Sequence, residues 1–421
     1  MTRSMLPALA LALACPSGSA VAETKKILIC TDLSMGMSCV NVFGGEAEPA
    51  DVDDAWAIAF ALTNPAFEVV GVVVSFGNCV CEPMETGCDP AKGGPQDLPC
   101  ATIDEQMVIG RWLLDAYGSD APLYRGASSR FSADLPAPAG TSDAIEMIRG
   151  LEGGVTVVGI GPATDPAFIV RDLAATGDVG RLDELVLEMG QFGKWEDEVG
   201  FSIGTQTVSD FNFRTDPLSV RWLCEEAGAD LPETTFVPFN AIRFGYVTEP
   251  GLGMLAAGGG EIASEVASEC RNWLNFWTEK FDEPGFHLWD FVCLLATTDG
   301  VTFIEEKVEP RVICIDDKPA LRLLPVDRSR FTSAWNLSGF EPPIVERAIV
   351  FASPRETESE SDQNGVVQLG FKSWFEAPAP ENCPGDLNHD GVVDGADLGL
   401  LIDDWGICFR GLKPVADPTG R

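Results

Sequence analysis

Short apolar runs recur along this chain, and each stops at a glycine or a polar residue before an amphipathic stretch begins. Ile27–Cys30 ends in Thr31-Asp32, Val69–Val74 in Ser75-Phe76-Gly77-Asn78, and Val155–Ile160 in Gly161-Pro162. Leu185–Met189 is a fourth run and Thr235–Pro238 a fifth. Between them Asp53–Thr63, Ile103–Tyr117, Ser142–Leu151 and Pro217–Ala227 have helical spacing, with Ser142 placed to cap the third. Strand-like runs alternating with helices predict an α/β sheet. In open sheets of that class, ligands bind beyond the carboxyl ends of the strands. Those are the positions where the polar and glycine residues fall.

The length, 421 residues, accommodates one large α/β domain with a small addition, or two ordinary domains. A formal net charge of -37 repels nucleic-acid backbones and anionic membranes, so intact DNA or RNA is not an expected partner. Carboxylate-rich surfaces attract cations instead, and calcium suits sites made only of oxygen.

The N-terminus reads as an export signal: Arg3, an apolar stretch from Leu6 to Ala14, and Ala20-Val21-Ala22 as cleavage site. Ala12-Leu13-Ala14-Cys15 is a poor lipoprotein box. No run approaches the roughly 18 apolar residues a membrane span needs. The expected organisation is a signal over residues 1–22, an α/β domain over 23–354, an acidic linker over 355–382 and a compact module over 383–412. The expected location is secreted, periplasmic or at the cell surface. Twelve of the 13 cysteines follow the signal. An even number in an exported chain predicts disulfides. Cys79, Cys81, Cys88 and Cys100 crowd one Gly/Pro-rich loop, with zinc the less favoured reading, and Cys383 and Cys408 bracket the module.

Asp51-Val52-Asp53-Asp54-Ala55-Trp56 packs three carboxylates at a helix start, following a strand that ends in Asp32. Capping and the helix dipole account for one or two acids there. A run facing a further aspartate points to a cation. This arrangement resembles the aspartate signature of the inosine-uridine-type nucleoside hydrolases. Val70-Gly71-Val72 leading to Phe76-Gly77-Asn78 is similar to the family's second strand and its turn. Leu123-Tyr124-Arg125-Gly126-Ala127 and Gly159-Ile160-Gly161-Pro162-Ala163-Thr164 match further elements. So do Met189-Gly190, Asp210-Phe211-Asn212-Phe213-Arg214-Thr215-Asp216-Pro217 and Trp289-Asp290, in the family's order over about residues 26 to 300.

The resemblance implies an open, mostly parallel sheet with helices on both faces, and hydrolysis of the N-glycosidic bond of ribonucleosides with release of base and ribose. It implies calcium held by Asp32, Asp54 and Asp290, with Asp53 beside them and the Ile160 carbonyl as a backbone ligand. Asp32 would act as general base, and Asn78, Met189, Asp210 and Asn212 would meet the sugar. Trp289 stands where many members have a histidine, which implies stacking on the leaving base and a purine preference. His287 is a second candidate acid if it shares Trp289's face, as an extended segment would allow and a helix would not. Family members are commonly oligomers, so a homo-oligomer is an open expectation. Two departures are visible: the turn between Asp32 and Asp51 is long, able to form a lid or to displace Asp32, and Cys30 stands where an aspartate is common.

Asp386-Leu387-Asn388-His389-Asp390-Gly391-Val392-Val393-Asp394-Gly395-Ala396-Asp397 places oxygen side chains at loop positions 1, 3, 5, 9 and 12 and glycine at 6. It resembles one dockerin-type, EF-hand-like calcium loop, with Asp386, Asn388, Asp390, the Val392 carbonyl, Asp394 and Asp397 as ligands. A protein partner through this module is a further expectation. Two other readings stay open: a nucleoside hydrolase-like binding protein without catalysis, and an extracellular assembly component in which the module matters most.

Overall fold

The structure, a computed structural model, describes residues 24–338 except 37, 40–47, 79–102, 193–200, 204–205, 209, 239–240, 242–245, 259, 299–301, 316–317 and 328–329. The export signal, the cysteine-rich loop from Cys79 to Cys100, the linker and the calcium loop with Asp386, Asn388, Asp390, Val392, Asp394 and Asp397 lie outside the described residues. No described helix is long and apolar enough to cross a membrane.

Ten strands form one sheet: β1 (Lys25–Thr31), β2 (Phe67–Val74), β3 (Leu123–Arg125), β4 (Val155–Gly159), β5 (Leu182–Glu188), β6 (Gln191–Phe192), β7 (Glu233–Val237), β8 (Thr302–Ile315), β9 (Lys318–Pro325) and β10 (Phe331–Ser338). Their order is β3-β2-β1-β4-β5-β7-β10-β8-β9-β6. All neighbours from β3 to β10 run parallel, whereas β8 is antiparallel to both β10 and β9. The described helices are α1 (Asp53–Thr63), α2 (Ile103–Ala116), α3 (Ala139–Gly150), α4 (Thr164–Thr176), α5 (Phe211–Thr215), α6 (Pro217–Arg221), α7 (Glu249–Gly258), α8 (Gly260–Lys280) and α9 (Trp289–Leu295). The sheet is open and mostly parallel, as expected.

The parallel strands read as apolar runs because both of their faces are covered. Along β1, Ile27 and Ile29 enter a core layer with Trp56 of α1, Leu274 of α8 and Phe291 of α9. Leu28 and Cys30 enter the opposite layer with Ile145 of α3 and Phe168 of α4. Strand order reverses between β1 and β4, because β2 follows on one side and β5 on the other. That is the switch point where open sheets leave a crevice.

Two elements differ from their sequence readings. Ser142 does not cap α3; the helix starts at Ala139 after Pro138, and the Ser142 hydroxyl donates to the Ala137 carbonyl at 3.3 Å. The early start lets Gly140 lie against the Arg125 backbone, where a Cβ would come within 2.2 Å of its carbonyl. The stretch read as one helix over 217–227 is α6 followed by a wider π turn over Trp222–Glu226. Strands β8 to β10 had no counterpart among the predicted runs. In β8 the residues Glu305, Lys307, Glu309 and Arg311 are exposed and alternate with more buried neighbours, which gives no apolar run. Cys30, Cys224, Cys270 and Cys293 are free thiols, so the expected pairing is limited to the remaining cysteines.

Phe168, in the second turn of α4, is buried against Phe131, with ring centroids 4.9 Å apart. Replacing it with alanine should cost about 3–5 kcal/mol in chemical denaturation, as expected for a buried aromatic.

Candidate active site

Asp32 follows β1 at the switch point, and its side chain is buried. Two glycines make room for it. A Cβ on Gly77 would lie 1.9 Å from Asp32 Oδ2, and one on Gly161 would lie 2.6 Å from Oδ1. The Gly77-Asn78 turn then closes over the carboxylate, with the Asn78 amide N–H donating to Oδ2 at 2.8 Å. Asn78 Nδ2 reaches the Asp32 carbonyl at 3.0 Å, Asp51 Oδ1 at 2.6 Å and Asp54 Oδ2 at 3.3 Å. Gln106 of α2 adds a donation to the same carbonyl at 2.7 Å. Asn78 therefore ties three aspartates together, a role nothing in its local sequence announces.

The insertion after Asp32 does not carry it away from the others. Ser38–Cys39 pairs antiparallel with Glu48–Pro49, and Gly36 N–H donates to the Asp51 carbonyl at 3.3 Å. The chain thus leaves and returns at one point, delivering Asp51 beside Asp32. Carboxylate oxygens of Asp51, Asp53 and Asp54 all lie within 4.8 Å of one another. Capping does not use them: Val52 occupies the N-cap of α1 and makes no side-chain cap bond. The Thr31 hydroxyl donates to Asp54, and the Asp290 amide at the head of α9 donates to Asp53 Oδ2 at 3.1 Å. Ile160 closes the other wall, its amide donating to the Cys30 carbonyl at 2.8 Å.

A second group joins from the ends of β5 and α5. Asp210 caps α5, accepting from the Phe213 amide at 3.0 Å and also from the Gly190 amide. Asn212 Nδ2 donates to Glu188 Oε2 at 2.8 Å. The Met189 side chain is fully buried in the core layer with Leu187 and Phe213. Trp289, half-buried, starts α9, and His287 lies just before it in extended chain. Their rings stack at 4.7 Å and 30°, so the two share a face, and Trp277 packs 5.5 Å from Trp289.

The electrostatics follow from burial. Asp53 and Asp210 are each pushed up to about 6, burial being the main cause. Asp32, Asp51, Asp54, Asp290 and Glu188 are raised well above the ordinary carboxylate range, first by burial and then by each other's charge. The Arg214 charge partly offsets burial at Asp210, whereas the other groups make no ion pair among the described residues. Buried like charges are stable only if protonated or matched by a cation. An all-oxygen donor set of this density fits a hard divalent ion. Asp51, Glu188 and Gln106 were not among the residues predicted for the site. Asp51 is visible as the first of the aspartate run, and Glu188 as a lone charge closing an apolar run.

Two outcomes follow. A group raised in the folded state binds protons more tightly there than in the unfolded chain. Metal-free protein should therefore lose stability as pH rises from about 4 through 6 and beyond. Thermal melts in chelator should show Tm falling over that window, and a saturating divalent cation should flatten the slope. Separately, Gly77→Ala should destabilise by about 1–3 kcal/mol and weaken cation binding, measured by melting and by calcium titration.

No protein-family model matches the chain. A pyrimidine-specific ribonucleoside hydrolase of Escherichia coli K12 is 26% identical over 278 residues, spanning 61% of this chain and 79% of that protein. Among solved structures, a plant nucleoside hydrolase superposes with a TM-score of 0.56 at 16% identity, over 84% of this chain and 99% of its own. An inosine-guanosine nucleoside hydrolase gives 0.55 at 14% identity, with coverage of 84% and 99%. A purine-preferring ribonucleoside hydrolase from Gardnerella vaginalis gives 0.54 at 13%, with coverage of 83% and 99%. At these identities the structural likeness establishes the fold. This sequence relative and these structural neighbours are all nucleoside hydrolases, and the chain resembles them in sequence and in fold.

Proposed function

We propose that the protein is an exported, calcium-dependent N-ribohydrolase that splits ribonucleosides into base and ribose. The observation that carries this reading is the convergence of Asp32, Asp51, Asp53, Asp54 and Asp290 at the sheet's switch point, with Asp210 and Asn212 facing them. Asp32, Asp53, Asp54, Asp290 and the Ile160 carbonyl would hold the ion, with Asp51 as an additional carboxylate. When bound, calcium would gather ribose hydroxyls and a water by oxygen coordination and lower the water's pKa.

The chain's own residues supply the rest. Asn78 fixes Asp32 through Oδ2, while Oδ1 faces Gly161, which has no side chain to block it. Asp32 is thereby oriented to take a proton from the attacking water. As the water oxygen bonds to C1′, the bond from C1′ to the base nitrogen breaks through an oxocarbenium-like state. Asp210 and Asn212 hold the sugar. Trp289 stacks on the departing base, which favours its leaving with a proton taken from solvent, and His287 stacked behind it keeps that ring in place. The Trp289 placement supports a purine preference, although the Escherichia coli relative is named for pyrimidines.

The N-terminal segment supports export, and the loop from Asp386 to Asp397 supports a second calcium site and docking to a protein partner. Release of ribose from inosine, adenosine, guanosine, uridine and cytidine should require calcium. It should fall by at least about 100-fold in Asp54→Ala, since even groups supporting metal ligands commonly matter 10–100-fold. No release from any nucleoside, with calcium still bound, would refute the reading.

A further inference from the structure

Glu188 is the last residue of β5. Alternation along that strand sends Leu185 and Leu187 into one core layer and Val186 into the other, with Phe291 and Val292 of α9. Glu188 follows Val186 onto that second face, toward the heads of α1 and α9 where the aspartates gather. Its side chain is 5% exposed. Asn212 Nδ2 donates to both its backbone carbonyl, at 3.2 Å, and its Oε2, at 2.8 Å. The other oxygen, Oε1, is buried and has no hydrogen-bond partner among the described residues.

A buried carboxylate oxygen without a partner is costly and rare, and it persists where a ligand completes it. The charges acting on Glu188 come from Asp210, Asp53, Asp32 and Asp290, so it lies among the residues of the proposed site. A cation or a hydroxyl hydrogen could satisfy Oε1. Asn212 anchors Glu188 on the Asp210 side of the crevice, whereas the three closely spaced aspartates belong to α1 and the chain just before it. That placement favours a hydroxyl.

We propose that Glu188 is a substrate-binding residue whose Oε1 accepts a hydrogen bond from one ribosyl hydroxyl, with Asn212 positioning the carboxylate. The proposal rests on the N-ribohydrolase reading. An acceptor buried in this way discriminates strongly, because a substrate lacking the hydroxyl leaves the oxygen unpaired.

The test measures kcat and KM for wild type, Glu188→Gln and Glu188→Leu on a cleaved ribonucleoside and on its 2′-, 3′- and 5′-deoxy analogues. Calcium affinity and Tm are measured alongside. Wild type should disfavour one analogue by about 100-fold or more, and Glu188→Leu should abolish that preference while leaving the other two unchanged. Glu188→Gln keeps an acceptor for Asn212, so it should fold as wild type does while reducing the same preference. Calcium affinity should stay within about 2-fold, since no coordination is lost. Unchanged deoxy preferences in both variants would overturn the role of Glu188 while leaving the hydrolase reading standing. So would a loss of calcium binding that accounts for the whole effect. Wild-type protein that cleaves no nucleoside would remove both together.

Discussion

Mutual repulsion among buried carboxylates is the constraint around which the site is arranged. Asp32, Asp51, Asp53, Asp54, Asp290, Glu188 and Asp210 are drawn from five separate segments, and their charges act on one another. Among the described residues the Arg214 charge acts on Asp210, and no ion pair reaches the others. Left ionised without a partner, such a group would work against folding. The surrounding structure makes sense as a frame that keeps these oxygens together for a hard cation. Gly77 and Gly161 leave space for Asp32, Asn78 spans three aspartates, and the α1 N-terminus leaves Asp53 and Asp54 free of capping.

The sheet explains why those segments meet. Reversal of strand order between β1 and β4 opens a crevice at the carboxyl ends, and every site segment leaves a strand there or enters a helix facing it. Burial of both sheet faces makes this edge stiff, because β1 is gripped by α1, α8 and α9 on one side and α3 and α4 on the other. The antiparallel extension through β8, β9 and β10 widens the sheet beyond β7. It also brings Leu321 and Leu323 against Gly190, next to the Asp210 anchor.

Much of this was legible in the residues, for identifiable reasons. Strands β1, β2, β4, β5 and β7 are covered on both faces and so read as apolar runs ending in polar residues. The Asp51–Asp54 run signalled a cation because helix capping cannot use so many acids. Strand β8 was missed because its alternating charged residues give no continuous apolar signal, and in β9 and β10 Arg322 and the polar Thr332, Ser333, Asn336 and Ser338 break up the apolar residues. The start of α3 was misplaced because packing of Gly140 on Arg125 overrode the local capping preference of Ser142. Asn78 was visible as a site residue, but its bonds reach 46 residues back to Asp32 and 24 back to Asp54, which spacing does not reveal. Whether His287 faces Trp289 depended on where α9 begins. With Trp289 as its first residue, both rings lie on one side.

The central claim is that the buried aspartates form a high-affinity cation site separate from the C-terminal loop. Calcium titration of metal-free full-length protein by calorimetry at pH 7.5, beside Asp53→Asn and Asp54→Asn, tests it most directly. The account predicts that each variant loses one tight site and retains any binding contributed by the loop. Titration curves for both variants identical to wild type would contradict it.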